Sequence, residues 1–495
     1  MTHTLMRTYI GTAAIAAMAL GAVSCTQSAI DINNPNVAQS GAVATDPTAL
    51  QLLATGLFAD QRGTRQAQIT NTGILGREMY TFTPQEGRNT TNYLVGINVG
   101  GVQKLDPAGF ANGSWNGQYT TLRDILFFNT FVNAQTGLSA QQKSGALAVA
   151  QTFEAMMIFE LLETRDTLGV VVEMNAKPDS ILPFVSRDSG YKYVLNTLDA
   201  AATKLQSAGV VIPFTVPPGF GTSVAGANFT TPAGFLLFNR ALRAKASVYY
   251  ATLGGGAAAW TAALTALGQS FINASATTRA QFDVGPYDTY APSPDSPNGL
   301  SQATNTNLYS HMSIQADAQL KADGQPDDRY TAKIRTGLPS RQGPGGSSAA
   351  STLGFSMWPT TSSPVPIIRN EELILLRAEA KLGTGDKAGA IADLNIVRQN
   401  SGGLPASTLT ASSTDAQVID GILYEKRYSL LMEANRWPDV RRYGRLNTLP
   451  LDVTTGSNAN FVAKVMPIPQ GECLPRLTSK VANALGPNGQ NNCAP

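Results

Sequence analysis

The sequence predicts a mainly α fold, a stack of tetratricopeptide-like helical hairpins carrying one loop-rich face. Three observations lead there. Apolar residues recur every three to four positions before residue 282 and again after 366, which is the period of a helix with one buried stripe. The stretch 366–403 reads PIIRNEELILLRAEAKLGTGDKAGAIADLNIVRQNSGG, two helices around a short glycine turn. Between the helical blocks, residues 283–364 are weakly periodic and rich in Pro, Gly, Ser, Thr and Asn. So long an irregular stretch is usually functional or disordered, and its scattered aromatics, Tyr287, Tyr290, Tyr309, Tyr330 and Trp358, argue against plain disorder.

Composition narrows the classes. Of 495 residues, 43% are apolar and only 14% charged, ample for a core. Lys plus Arg number 36 and Asp plus Glu 34, so no basic field recruits nucleic acid.

The chain opens with an address. One cation, Arg7, precedes the apolar run YIGTAAIAAMALGAV, and the run ends in AVSC. The run suits a signal peptide over 1–24 and is too short for a good membrane span. Small residues before Cys25 fit the pocket of a lipoprotein signal peptidase, so Cys25 is expected to carry lipid. An ordinary secretory signal with Cys25 free is the alternative. Residues 25–47 read as a flexible tether, and 48–495 as one body: an N-terminal half (48–282), the loop-rich insertion (283–364) and a C-terminal helical region (365–495). An exported chain meets an oxidising compartment, so Cys473 and Cys493 are disulfide candidates, two free thiols being the alternative.

Helical segments follow in order. Leu50, Leu53 and Leu57 share a stripe; Trp115, Tyr119, Leu122, Ile125 and Phe128 share the next. A helix starts from a Ser139 cap, and others cover 186–206, 232–253 and 257–272. Tyr250–Leu253, the following glycines and the helix from Ala257 look like one hairpin. Leu373, Leu376 and Ala380 face Ala388, Ile391, Leu394 and Val397 in another, turned at Gly383–Gly385. A lone hairpin cannot bury its own face, so the hairpins must stack. Trp115, Trp260 and Trp437 are read as framework.

One stretch breaks the sparing use of charge: nine of the 21 residues from Glu425 to Arg445 are charged. A helix from Ile422 to Trp437 is expected, with Leu423, Leu430, Leu431 and Ala434 on its stripe and Arg427 reaching into an interface. Glu433 and Arg436 are spaced for an ion pair, and Trp437-Pro438 is expected to stop the helix. Signs alternate, so this is a cross-linked scaffold and not a single-sign surface.

The run Glu425-x-Arg427-x-x-x-Leu431-x-Glu433-x-x-Arg436-Trp437-x-Asp439-x-x-Arg442-x-Gly444 resembles the C-terminal signature of the SusD/RagB family. EELILLRAEAKLGTGDKAGAIADLNIVR before it and PIPQGE (467–472) after it are similar too. The tail ALGPNGQNNCAP departs from the family's usual ending. The resemblance implies a SusD-like fold, an outer-membrane lipoprotein facing outside the cell, a SusC-like TonB-dependent transporter as partner, and a carbohydrate ligand. It implies no enzyme activity. A peptide-binding member of the family, a lipid-anchored hydrolase and a helical-repeat scaffold are the rival readings.

Sugar recognition needs aromatic faces for C–H surfaces and planar polar groups for hydroxyls. Two stretches supply both. Residues 76–94 offer Arg77, Tyr80, Arg88, Asn92 and Tyr93; residues 283–364 offer Tyr287, Tyr290, Arg341 and Trp358. Catalysis has little to draw on. The chain has two histidines, His3 and His311, and no multi-histidine metal spacing. Asp327-Asp328 form no specific Ca²⁺ motif and are expected to cap a loop; GPGGSS (343–348) reads as a flexible loop. No cofactor is expected.

Overall fold

A computed structural model describes residues 49–493, apart from 176, 178, 179, 294 and 344–348. The signal peptide, Cys25, the tether and most of the GPGGSS run lie outside the described residues. Leu50–Pro495 forms one compact unit.

The frame is made by these helices: α1 Ala49–Leu75, α2 Asn116–Ala134, α3 Ala140–Arg165, α4 Arg187–Gln206, α5 Pro232–Tyr250, α6 Gly256–Gly268, α7 Asn370–Gly383, α8 Lys387–Asn400, α9 Asp415–Ser429, α10 Arg436–Arg442 and α11 Gln470–Arg476. From α2 to α8 each helix packs on the next, and α9 closes on both α7 and α8. This is the expected stack, in which apolar stripes find neighbours.

Starts and stops follow local chemistry. The Ser139 hydroxyl accepts from the Gln142 N–H while the Gln142 side chain returns to the Ser139 N–H, a capping box. Thr414 and Gln417 repeat it at α9. Gly383 in the last turn of α7 makes room for the Trp260 ring, to which a Cβ there would come within 2.4 Å, and the helix stops as Gly385 turns to φ 90°. Helix α3 is long and apolar enough to cross a membrane, but it is buried in this body, the mark of a core helix. In α8, Ile391, Leu394 and Val397 are buried as expected, whereas Ala388 is exposed and Ala390 takes the inward position.

The charged stretch corrects one expectation. The helix from Ile422 does not run to Trp437; α9 ends at Ser429, and Met432 (φ 59°) and Ala434 (φ 66°) adopt the left-handed region before α10 begins. The carbonyls freed at the end of α9 are capped by cations from elsewhere in the chain. Lys333 Nζ donates to the Tyr428 carbonyl at 2.8 Å and also to that of Ser429, which Arg369 shares. Orphan carbonyls and the negative helix end both favour cations there. Trp437-Pro438 lies in the first turn of α10 instead of stopping a helix. A proline fits that turn because the N–H it lacks would have no partner within the helix. Nor do Glu433 and Arg436 pair: Glu433 accepts from Arg369 at 2.8 Å.

The loop-rich region forms short antiparallel ribbons. Met79–Thr81 pairs with Leu308–Ser310, Tyr287–Asp288 with Val365–Pro366, and Ile334–Arg335 with Gly354–Phe355. Most of their rings fill one core with the 428–440 segment. Cys473 and Cys493 are disulfide-bonded, with Cα atoms 5.3 Å apart.

Candidate functional site

Two candidate residues line one cleft of about 460 Å³, the half-buried Tyr287 and Trp358, which is only 4% exposed. Tyr287 is set by its ribbon partner Pro366 and by donating from its hydroxyl to the Asp283 carbonyl at 2.7 Å. Trp358 is held at its carbonyl by the Ser301 hydroxyl at 2.8 Å. The short helix Asp328–Lys333 forms one wall, and Asn400 and Ser401 at the end of α8 form another.

The floor is charged and internally paired. Glu371 receives Arg369 and Arg279, the latter at 2.7 Å, and the hydroxyls of Ser401 at 2.5 Å and Ser429 at 2.7 Å. Burial opposes ionisation of Glu371, but Arg369, Arg279 and Lys333 outweigh it and hold the carboxyl well below its usual range. Arg329 is locked by Asp327 and Glu425, both at 2.6 Å. Burial and the nearby Arg369 lower Lys333 to about 8. The cations lining the cleft thus serve carboxylates or the end of α9. The exposed Asp328 carboxylate pairs with Lys321 at 2.9 Å, and is the group best placed to take a new hydroxyl donor.

The other named residues lie elsewhere. Arg77, 1% exposed, gives its donors to the carbonyls of Ile74, Leu75, Pro450 and Phe461. Tyr80, 1% exposed, donates to Asp452 at 2.8 Å and stacks on Phe82 and His311. Tyr93 is buried and donates to Asn71 at 2.6 Å. Asn92, half-buried, accepts from the Phe110 N–H. Tyr290 is buried beneath Arg62, and Arg341 donates to Asn307 and lies over Tyr309. The rings of this loop region are largely core because the ribbons must build their own apolar centre. Asp327 caps its helix by accepting from the Arg329 N–H at 2.9 Å, and among the described residues no group of three or more His, Cys, Asp or Glu could hold a metal.

Sequence reasoning passed over two features. Arg279, Asp283 and Arg369 line the cleft; their signal was a cation–carboxylate pattern bordering the loop region. Phe110 is 37% exposed, with the Arg88 guanidinium 4.6 Å from its ring centroid and Arg88 paired to Glu86 at 2.6 Å. A larger cavity, about 650 Å³, is mainly apolar and lies under the C-terminal tail, with Phe461 the one ring that lines it among the described residues.

Comparison with known proteins gives the fold a family. Residues 252–480 match the SusD family. No curated protein matches the chain in sequence. A SusD-like protein from Bacteroides fragilis superposes with TM-score 0.62 at 15% identity, covering 88% of this chain and 96% of that one. A SusD-like carbohydrate-binding protein from the same species gives 0.55 at 15%, covering 87% and 98%. A structure solved with a xylogluco-oligosaccharide gives 0.56 at 16%, covering 81% and 85%. The signature at 425–444 lies inside the region that matches the SusD family, and the helical stack is the fold of the SusD-like structures.

Proposed function

We propose that the protein is a lipid-anchored outer-membrane subunit that captures a glycan outside the cell and delivers it to a SusC-like TonB-dependent transporter, without breaking bonds. The observation that carries the ligand class is the cleft: the half-buried Tyr287 and one edge of the buried Trp358 beside an exposed carboxylate, over a floor whose cations are already paired. That set suits a neutral sugar, whose C–H face rests on a ring while its hydroxyls donate to Asp328. It does not favour an anionic ligand, which needs uncommitted cations. The two oligosaccharide- and carbohydrate-binding neighbours of the same fold support this reading, and the Cys25 motif supports the anchor. The test is titration of the purified protein with neutral and acidic oligosaccharides, followed by product analysis. Saturable binding of a neutral glycan recovered intact is expected, with the transporter co-purifying from membranes. Shortened products would establish the hydrolase reading instead.

A further inference from the structure

One end of the helical stack is apolar at its tip and poor in carboxylates. Helix α1 runs parallel to α3: Phe58 meets Phe153 with ring centroids 4.9 Å apart, and Gln68 donates to Glu163 at 3.3 Å. The same offset sets Leu50, in the first turn of α1, level with Gly145 near the start of α3. Helix α2 ends and helix α4 terminates at this level, where the Ser144 hydroxyl donates to the Lys204 carbonyl at 2.9 Å. The segment after α4 crosses this end. It is pinned to Gln51 by paired hydrogen bonds at Thr215, and to Phe128 through Phe214. Its tip points two valines into solvent, Val210 83% and Val211 57% exposed. Beside the anchor points stand two more exposed apolar side chains, Leu52 at 68% and Phe127 at 40%.

The tip itself lacks carboxylates, and the Asp60–Asp124 pair lies one turn beyond Phe127. No Asp or Glu occurs in 49–59, 134–147 or 203–217. Lys143 and Lys204 donate to neutral oxygens, of Asn133 and Gln151, which leaves the Lys143 charge uncancelled, while the Lys204 charge also acts on Glu154. Apolar residues at a loop tip flanked by cations are the composition of an interfacial anchor on anionic lipid.

We infer that this end of the stack lies on the lipid surface, with Val210 and Val211 dipping into it. The inference rests on the reading of Cys25 as acylated and adds an orientation to it. Residues 26–48 could extend to about 80 Å at ~3.5 Å per residue, so the tether alone leaves the body free to turn. A weak second contact gains from the high local concentration that the tether imposes. The tip and the first turn of α1 share one end of the body, so the described chain begins on the side that carries the valines.

The test uses the full mature chain with Cys25→Ser, so that acyl insertion does not mask the contact, and vesicles of equal parts phosphatidylethanolamine and phosphatidylglycerol. Flotation is expected to show partition that falls about tenfold or more in V210D/V211D, since two exposed valines lose their apolar transfer. Salt is expected to weaken it further, and V210W is expected to shift its emission to the blue on vesicles. Both positions are exposed, so unchanged melting certifies folding. Equal partition of the aspartate variant, or unmoved V210W emission, would overturn the inference. So would a variant that loses the transporter but keeps the vesicles, since the tip would then belong to a protein contact. Glycan titration and mass analysis of Cys25 are read separately, so failure of capture or of acylation is distinguishable from failure of the lipid contact.

Discussion

The charged stretch 425–445 and the ring-bearing stretch 283–364 were expected to play opposite roles, scaffold and surface, yet both are largely internal. They differ in what burial leaves over. In the charged stretch the ions consume one another: Lys426 meets Glu379 at 2.9 Å and Asp439 at 2.7 Å, Arg442 meets Asp439 at 2.7 Å, and Tyr443 donates to Glu379 at 2.6 Å. In the loop stretch the rings pack as core, while the ribbon edges and short helix leave Tyr287, the edge of Trp358 and Asp328 along a cleft. Pairing closes one region to ligands. Incomplete covering opens the other.

Arg369 sits where the two meet, so it offers the sharpest break. Arg369→Met strands Glu433 and leaves Glu371 with Arg279 as its remaining ion-pair partner, both carboxylates being buried. Removing one partner of a buried ionic cluster costs about 3–5 kcal/mol, which a shift of the denaturant midpoint will measure. A surviving midpoint would mean the charged stretch is not a scaffold. Next in size, Cys473→Ser with Cys493→Ser opens a loop with a sequence separation of 20. A loss of about 3 kcal/mol is expected by loop entropy, read as local protease sensitivity of the tail.

Third comes pH. Burial raises Glu160 to about 7, against Arg65 and the hydrogen bond from Gln118, and burial likewise raises Asp288 to about 7. A carboxyl whose folded value lies above its ordinary value favours folding while protonated. For Glu160 that contribution is whole below its ordinary value of 4.5 and is lost as pH rises through about 7. Glu160→Gln is therefore expected to gain about 1–3 kcal/mol at pH 8 and nothing near pH 4, as thermal melts across pH will show.

The smallest effect on stability is expected from Phe110→Ala, within about 1 kcal/mol for a partly exposed ring. Its value is in locating the ligand. Unchanged glycan affinity keeps the site at the cleft, whereas a loss moves it to the Phe110–Arg88 platform.

How much of this could be read beforehand depends on locality. Helix periods, the Ser139 cap and the α7–α8 hairpin rest on neighbours in sequence and were legible. So was the family signature. The break at Met432–Ala434 was not, because it depends on Lys333 and Arg369 arriving from distant segments. Tyr80, Tyr93 and Tyr290 were chosen as rings in loops. Their burial follows from non-local packing, such as the ribbon pairing of Tyr80 with Tyr309, which no local pattern announces. Tyr287 and Trp358 converge for the same non-local reason.

The most direct test is a calorimetric titration of a neutral oligosaccharide into the wild-type protein and a Tyr287→Ala, Asp328→Asn variant. The account predicts saturable binding by the first, at least a tenfold weaker constant for the second with its fold retained, and the sugar recovered whole from both. Equal binding by a folded variant would contradict the account, as would a cleaved sugar.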